Sequence, residues 1–440
     1  MAIDFTLTAD QKQLQQTARE FAQEVLKPVV EQADREPDTQ KAVQMMKGPY
    51  VEAYKLGFAM GFLPKEYGGG GVGNIDLQIA AEEICAVDPG FATILLVNGL
   101  GLMPVAWYGT EEQKKKWIGA ATSDPNHEYL AGWVVSEPAG TPGGTANFDH
   151  PGAHPVGIGV TATHDRGRGE YVINGKKYWP CNAGGWDLKG ANVNVVIVRV
   201  DSSKGGKQGL AGALVPREAG GVRYEQPIDK IGHRLCQNNA MTFEDCRIPE
   251  ENMFALGDGD LIISKAFTWS GPVAAIAAVG VARAAYEYTL EWAKTYTAGG
   301  DKPIIMHQAV GYMLTDIAMR IEACRAFSWK AAHYLDQYDS EGHAIGAMSK
   351  IFCGELLFDT VFKCMQVMGV NAVDKRHPLE RYLREAVIFP LYDAGNIGMQ
   401  RRKIWGVMAD PDFDPRAMAD NRPIEFKKSM EGIGTAIAAE

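Results

Sequence analysis

The sequence predicts an α+β protein in three consecutive parts: helical, then β, then helical. Three observations carry this. Apolar positions recur at helical spacing through residues 1–127. Between 128 and 252, glycine, proline and β-branched residues dominate in short runs separated by turn signals. From 253 to 440 the helical period returns in longer, alanine-rich stretches.

In the first part, Thr8-Ala-Asp-Gln11 has the form of a capping box, a Thr cap with Gln three residues on. Leu14, Ala18, Phe21, Ala22 and Val25 then repeat at helical spacing. Further helices are expected over Val51–Phe58, Asp76–Ala86 and Glu111–Ile118. The uncharged stretch Pro89–Thr110 is long enough to consider as a membrane span, but Asn98, Pro104 and its glycines argue for a buried helix pair with a break. In the middle part, strands are expected at Leu130–Val135, Gly157–Thr163, Glu170–Ile173, Val193–Val200, Gly212–Val215, Val222–Glu225 and Ala240–Phe243. Asn174-Gly175 reads as one of the turns between them. Strands without intervening helices argue for a sandwich or barrel. In the last part, helices are expected over Phe267–Lys294, Ile304–Leu335, Gly346–Met368 and Leu379–Ala386. The residues after Asp410 read as a surface extension.

Composition narrows the function. Of 440 residues, 46% are hydrophobic and 22% charged, enough apolar material for a large core. The 44 basic and 54 acidic side chains leave a formal charge of −10, which argues against nucleic acid, where affinity rests on neutralising phosphates, and against a membrane surface. The start, MAIDFTLTADQKQ, has neither a basic run nor an apolar one, so no targeting segment is read there. Seven cysteines, an odd number without CxxC spacing, predict free thiols in a reducing cytoplasm. The nine histidines do not cluster, and no metal site is expected.

Four segments draw chemical interest. Gly68, Gly70 and Gly73 match GxGxxG as a string, but Pro64-Lys65-Glu66-Tyr67 precedes them where a dinucleotide site needs a hydrophobic strand, so the segment reads as a loop. Trp133-Val134-Val135-Ser136-Glu137-Pro138, with Gly144 and Thr145 beyond, is a strand running into turns that present amides and hydroxyls; that suits a flat polar ring or a phosphate, and equally an ordinary strand and turn. Trp179 and Trp186 flank a turn holding Cys181 and Asn182; Trp179 reads as a ring to stack on a cofactor or as a core tryptophan. Asp393 stands between the apolar run Phe389-Pro390-Leu391-Tyr392 and the small-residue loop Ala394-Gly395-Asn396-Ile397-Gly398. A carboxylate in such surroundings has a raised pKa and can act as a general base, with Arg401 or Arg402 to hold it ionised; the plainer alternative is a helix cap.

In this order, Pro64–Gly69, Ser136-Glu137-Pro138, Lys230-Ile231-Gly232-His233-Arg234 and Phe243–Asn252 resemble the acyl-CoA dehydrogenase superfamily of flavoproteins, from Phe5 to about Met408. Within it the chain looks closest to the nitroalkane oxidase branch, through Gly144-Thr145-Ala146-Asn147, Trp179-Pro180, Gly184-Gly185-Trp186-Asp187 and Asp393 with its small-residue loop. The resemblance implies an N-terminal helical domain, a central antiparallel β-domain and a C-terminal four-helix bundle. It implies FAD between the last two, held by Val135, Ser136, Gly144, Thr145, Trp179, Cys181 and Asn396, with Cys181 where a small hydroxyl residue usually meets flavin N5. It implies a homotetramer in which Gln308, Gln366 and Gly369 reach a neighbouring subunit's flavin. Asp393 falls on the base and Ser270 on a serine that supports it. The arginine usual seven residues after the base is Gln400 here, so Arg401 is expected to take its part.

The implied activity is that of an FAD-dependent oxidoreductase in which Asp393 removes a proton next to an electron-withdrawing group. The leading expectation is nitroalkane oxidation by O2 to an aldehyde or ketone, nitrite and H2O2. The alternative is an acyl-CoA dehydrogenase that passes electrons to an electron-transfer flavoprotein. A flavin-binding module without this chemistry is the third reading.

Overall fold

The structure, a computed structural model, describes residues 5–141, 158–201, 208–339 and 343–422. The N-terminal part stacks α1 (Ala9–Glu20), α2 (Lys27–Ala33), α3 (Thr39–Met45), α4 (Lys47–Lys55), α5 (Asn74–Val87), α6 (Pro89–Tyr108) and the short α7 (Glu111–Gln113) and α8 (Gly119–Thr122). The capping box forms: Gln11 N–H donates to Thr8 Oγ1 at 3.2 Å and Thr8 N–H to Gln11 Oε1 at 3.0 Å. The Pro64–Gly71 segment is one 3-10 turn closed by Gly68 at φ 88°, and no strand leads into it.

Residues 89–108 form one continuous helix, not the expected broken pair. Its glycines serve packing instead: a Cβ at Gly99 would meet the Trp269 ring, and one at Gly101 would meet Ala131. A helix apolar all round is stable when protein surrounds it, and that burial tolerates Pro104 inside. Among the described residues, three helical segments are long and apolar enough to cross a membrane; in α6 and in α9 (Asp258–Thr295), 67% and 72% of the apolar window lies inside the protein.

The middle part is one seven-stranded sheet: β1 (Ala131–Val134), β2 (Thr161–Asp165), β3 (Glu170–Cys181), β4 (Val193–Arg199), β5 (Leu210–Pro216), β6 (Val222–Tyr224) and β7 (Asn238–Pro249). β1 pairs with β4, β4 with β2, β2 with β3 and β3 again with β1, so four strands close a ring, as in a barrel. Most pairings are antiparallel, but β1 and β2 run parallel to β4. Asn174-Gly175 is not a turn. It is a bulge inside β3, where Gly175 takes φ 130° and its missing Cβ leaves room for Val160. β4 is buried on both faces: Val196 and Val198 fill the sheet's own core, while Val193, Val195 and Ile197 pack toward the helices.

The last part is built on α9, α10 (Gln308–Tyr338) and α11 (His343–Met368), with short α12 (Leu379–Ala386) and α13 (Arg401–Met408) alongside. α5 packs against α9 and α10 and completes four helices around one core. Glu82 and Glu83 of α5 bind Arg283 of α9 at 2.8 and 2.9 Å; Glu82 also binds Arg325 of α10 at 2.9 Å, and Glu83 binds Arg19 of α1 at 2.8 Å. The segment after Asp410 is not a free extension as far as residue 422: Ala417 is buried against Ala344 and Val407, and Tyr338 Oη donates to Asn421 O at 2.8 Å.

Candidate active site

The turn that carries Asp393 has an unusual backbone. Asp393, Ala394 and Gly395 take φ 51°, 68° and 60° in succession, and a π-helical turn, Gly395–Gln400, follows. A left-handed residue with a Cβ costs about 1–3 kcal/mol, so the turn needs support. Asn396 N–H donates to Pro390 O at 2.9 Å, Gln400 Nε2 to Asp393 O at 3.0 Å, and Lys350 Nζ to Tyr392 O at 2.7 Å and Asn396 Oδ1 at 2.6 Å. The turn aims the Asp393 side chain at α9, where Ser270 Oγ donates to Asp393 Oδ1 at 2.7 Å.

The second oxygen, Asp393 Oδ2, is sealed from solvent and has no hydrogen-bond partner among the described residues. Burial pushes the Asp393 carboxyl above its ordinary pKa; Lys350, the Ser270 hydroxyl and Lys403 each pull it back. Burial lowers both ammonium groups, Lys350 to about 8 and Lys403 to about 7, while Asp393 raises each of them. The result is a carboxylate with one oxygen oriented and the other unengaged.

Two expectations need correction here. Arg401 does not serve Asp393. Its guanidinium forms a two-pronged pair with Glu355 at 2.6 and 2.9 Å, both side chains nearly half exposed. α13 turns Arg401 outward and Lys403 inward, onto Thr268 Oγ1 at 2.9 Å. Asn396 does not offer its side chain to a cofactor either: Oδ1 accepts from Lys350, and Nδ2 donates to Glu355 Oε1 at 3.2 Å and Ile351 O at 3.4 Å. Sequence reasoning missed Lys350 and Lys403, though signals existed. Lys350 is the single charged residue in the run Ala344–Phe352. Arg401-Arg402-Lys403 are three cations about 100° apart on one helical turn, so packing one face of that turn directs one of them inward.

The ends of β1 and β3 face the same region. Trp179, at φ 72° in a bulge of β3, leaves 40% of its surface exposed and is not a core tryptophan. Trp186, by contrast, packs on Tyr50 and donates Nε1–H to Glu128 O at 3.0 Å. Cys181 pairs with Trp133 across β1–β3 and accepts from Asn238 Nδ2 at 2.9 Å; its thiol interacts electrostatically with Asp393, which joins the strand ends to the turn. Val135 O accepts from Lys177 Nζ at 2.8 Å and Ser136 O from Tyr178 N–H at 2.9 Å, which leaves the half-buried Ser136 side chain at the strand end. An exposed indole beside backbone amides, a hydroxyl and a thiol fits a flat heteroaromatic ring. Gly144 and Thr145 lie outside the described residues. Gln308, Gln366 and Gly369 are not brought to Asp393 within one chain. Gln308 opens α10, Gln366 lies in the last turn of α11 and Gly369 directly follows it, on the side of the bundle where α9 terminates at Thr295. That is about 38 Å along α9 from Ser270, at 1.5 Å per residue.

Comparison with known proteins places these features. Residues 8–124, 149–246 and 257–408 match the N-terminal, middle and C-terminal domains of acyl-CoA dehydrogenase. Nitroalkane oxidase of Fusarium oxysporum is 31% identical over 434 residues, covering 94% of this chain and 97% of its own. The short-chain specific acyl-CoA dehydrogenase of Sus scrofa is 30% identical over 395 residues, covering 89% and 88%. Two solved structures of nitroalkane oxidase active-site variants, aspartate to asparagine with 1-nitrooctane and serine to alanine with 1-nitrohexane, are similar with a TM-score of 0.87, 30% identity and coverage of 94% and 99%. The expected cofactor is FAD, whose ring the ends of β1 and β3 fit. The chain belongs to the acyl-CoA dehydrogenase superfamily of flavoproteins and is an FAD-dependent oxidoreductase.

Proposed function

We propose that the protein oxidises nitroalkanes, with Asp393 as the base that removes the proton α to the nitro group. The observation that carries this is the Ser270–Asp393 pair: a short carboxylate, one oxygen held by a serine hydroxyl at 2.7 Å and the other without a partner. An active-site aspartate and an active-site serine are also the residues substituted in the nitroalkane oxidase structures that hold nitroalkanes. Ser270 orients the carboxylate, and burial raises its proton affinity toward what a base needs near neutral pH. FAD, when bound, supplies the two-electron redox chemistry. The products of this reading are an aldehyde or ketone, nitrite and, with O2 as acceptor, H2O2.

The Lys230–Arg234 segment, which looks like the acyl-CoA dehydrogenases in sequence, is engaged in internal contacts. Lys230 Nζ donates to Cys236 O at 2.6 Å, and Arg234 to Asp34 O and, at 3.1 Å, to Glu36 O. Self-association and a reducing cytoplasm belong to the same proposal. Tyr312, Met319, Phe358 and Phe362 of α10 and α11 are exposed, and all seven cysteines are free.

The deciding experiment mixes the FAD-loaded protein anaerobically with nitroethane and, separately, with a medium-chain acyl-CoA, and follows flavin absorbance. Bleaching by nitroethane with release of nitrite supports the proposal. Bleaching by the acyl-CoA alone makes the protein a dehydrogenase with an aspartate base and an electron-transfer flavoprotein as the acceptor to test. Bleaching by neither removes both substrates.

A further inference from the structure

The left-handed turn at Asp393, Ala394 and Gly395 is gripped on both sides by one side chain from another helix. Lys350 of α11 is 1% exposed, and its Nζ donates to Tyr392 O at 2.7 Å and to Asn396 Oδ1 at 2.6 Å, one acceptor before Asp393 and one after it. The Tyr392 ring centre lies 5.5 Å from the same nitrogen. Asn396 is held in turn: its Nδ2 donates to Glu355 Oε1 at 3.2 Å and Ile351 O at 3.4 Å, which leaves Oδ1 as the acceptor facing the ammonium. Among the described residues, no carboxylate lies at ion-pair distance from Lys350; both its hydrogen-bond acceptors are neutral. Burying an ammonium without a paired charge is costly, so a clamp on the backbone alone does not account for a lysine here.

We propose that Lys350 is the positioning residue of Asp393: it clamps the left-handed turn at acceptors on both sides of that residue and fixes a positive charge beside its carboxylate. This rests on the reading of Asp393 as the base.

The hydrogen bond to Tyr392 O sets the distance. The peptide bonds of the turn are trans, and in a trans peptide the carbonyl oxygen stands about 2.8 Å from the next Cα. Lys350 Nζ is therefore within about 5.5 Å of Asp393 Cα and within about 8 Å of its carboxyl carbon. At that range, sealed from solvent, an opposite charge favours the ionised carboxylate. Burial raises the Asp393 pKa, and Lys350 opposes it more than Ser270 or Lys403 does. The other titratable groups that interact with Asp393 are Cys181 at the end of β3 and Tyr392 on its own turn; Lys350 itself is acted on by Asp393 and by Glu355 of α11. The sign follows. Removal of the Lys350 charge raises the Asp393 pKa, and the base then becomes competent only at higher pH.

The test compares Lys350→Met and Lys350→Gln, each alone and combined with Ser270→Ala, with the wild-type FAD-loaded protein. The direct readout is infrared titration of the Asp393 carboxyl, identified as the protonated C=O band that Asp393→Asn lacks. The midpoint is expected to rise by about one pH unit in both Lys350 variants. The further rise caused by Ser270→Ala is expected to shrink in them, because a carboxylate no longer held in place has less of that hydrogen bond to lose. Through the misplaced base, kcat/KM for nitroethane is expected to fall about 10- to 100-fold with KM changed far less. A midpoint unchanged in both variants overturns the proposal even where Tm is lower, since Lys350 is then structural only, and so do Ser270→Ala shifts that simply add. The glutamine variant answers if the methionine variant does not fold. Should neither nitroethane nor acyl-CoA be turned over, the substrate reading fails while the infrared titration still decides the role of Lys350.

Discussion

Two buried carboxylates in this chain, each near a lysine, have opposite fates. Glu137, just past β1, accepts backbone N–H groups of Gly159 at 2.9 and 3.0 Å and Val160 at 2.9 Å, and the Lys177 ammonium at 3.1 Å. Although burial works against it, Lys177 and these donors hold its pKa below the ordinary value. Asp393 is also buried, but it has one hydroxyl donor, an unpartnered second oxygen and a raised pKa. Burial alone therefore does not separate structural from reactive acids. Between these two, what differs is the number of donors aimed at the carboxylate, because each favours the ionised form and lowers its appetite for a proton.

Asp393→Asn tests that contrast most severely. It keeps size and polarity but removes the base, and turnover of a neutral carbon acid is expected to fall by about 10²–10⁴-fold while the flavin stays bound. Retained activity in a stopped-flow reduction assay would dismiss Asp393 as the base.

Glu137→Gln is the counterpart. It leaves Lys177 buried without its counter-charge, and an ion pair broken in this way costs about 3–5 kcal/mol of stability. The expected result is a lower Tm with near-normal kcat in the protein that remains folded. An unchanged Tm with lost activity would reverse the assignment of the two acids.

Ser270→Ala sharpens the comparison by stripping Asp393 of its remaining hydroxyl donor. A hydrogen bond to a charged group is worth about 1.5–3 kcal/mol, so kcat/KM is expected to drop about 10- to 100-fold. Asp393 must be ionised to act, so activity falls as pH drops through its raised pKa. Without the hydroxyl that favours the ion, this limb moves to higher pH, as a pH series of kcat/KM would show.

Arg401→Met should do least. Its pair with Glu355 is nearly half exposed, and such pairs are worth at most about 1 kcal/mol, so less than about a fivefold effect is expected. A large loss in that variant would restore Arg401 as the partner of Asp393.

Much of the fold is legible in the residues. The capping box at Thr8, the strand run Val193–Val200 and the helix Leu379–Ala386 are local patterns, and local patterns survive folding. The misreadings share one cause. Asn174-Gly175 looked like a turn because that pair favours left-handed backbone, but β7 pairs along both sides of it and converts the same preference into a bulge. The glycines of α6 looked like breakers, yet each one is where another part of the chain comes close. A single sequence carries the preference and not the neighbour.

The site divides the same way. The sequence by itself determined that a carboxylate stands in a small-residue turn at position 393, that a serine stands at 270, and that the order of parts is helical, β, helical. Only the tertiary structure decided which of the neighbouring cations is buried and which faces solvent. Arg401, Arg402 and Lys403 are adjacent in sequence and of one sign, and helical geometry separates them by rotation alone. Packing of α13 against α11 then turns Lys403 inward, to Thr268 of α9, and leaves Arg401 to Glu355. Charge and spacing are written along the chain. The direction in which a side chain points is set by what the chain packs against.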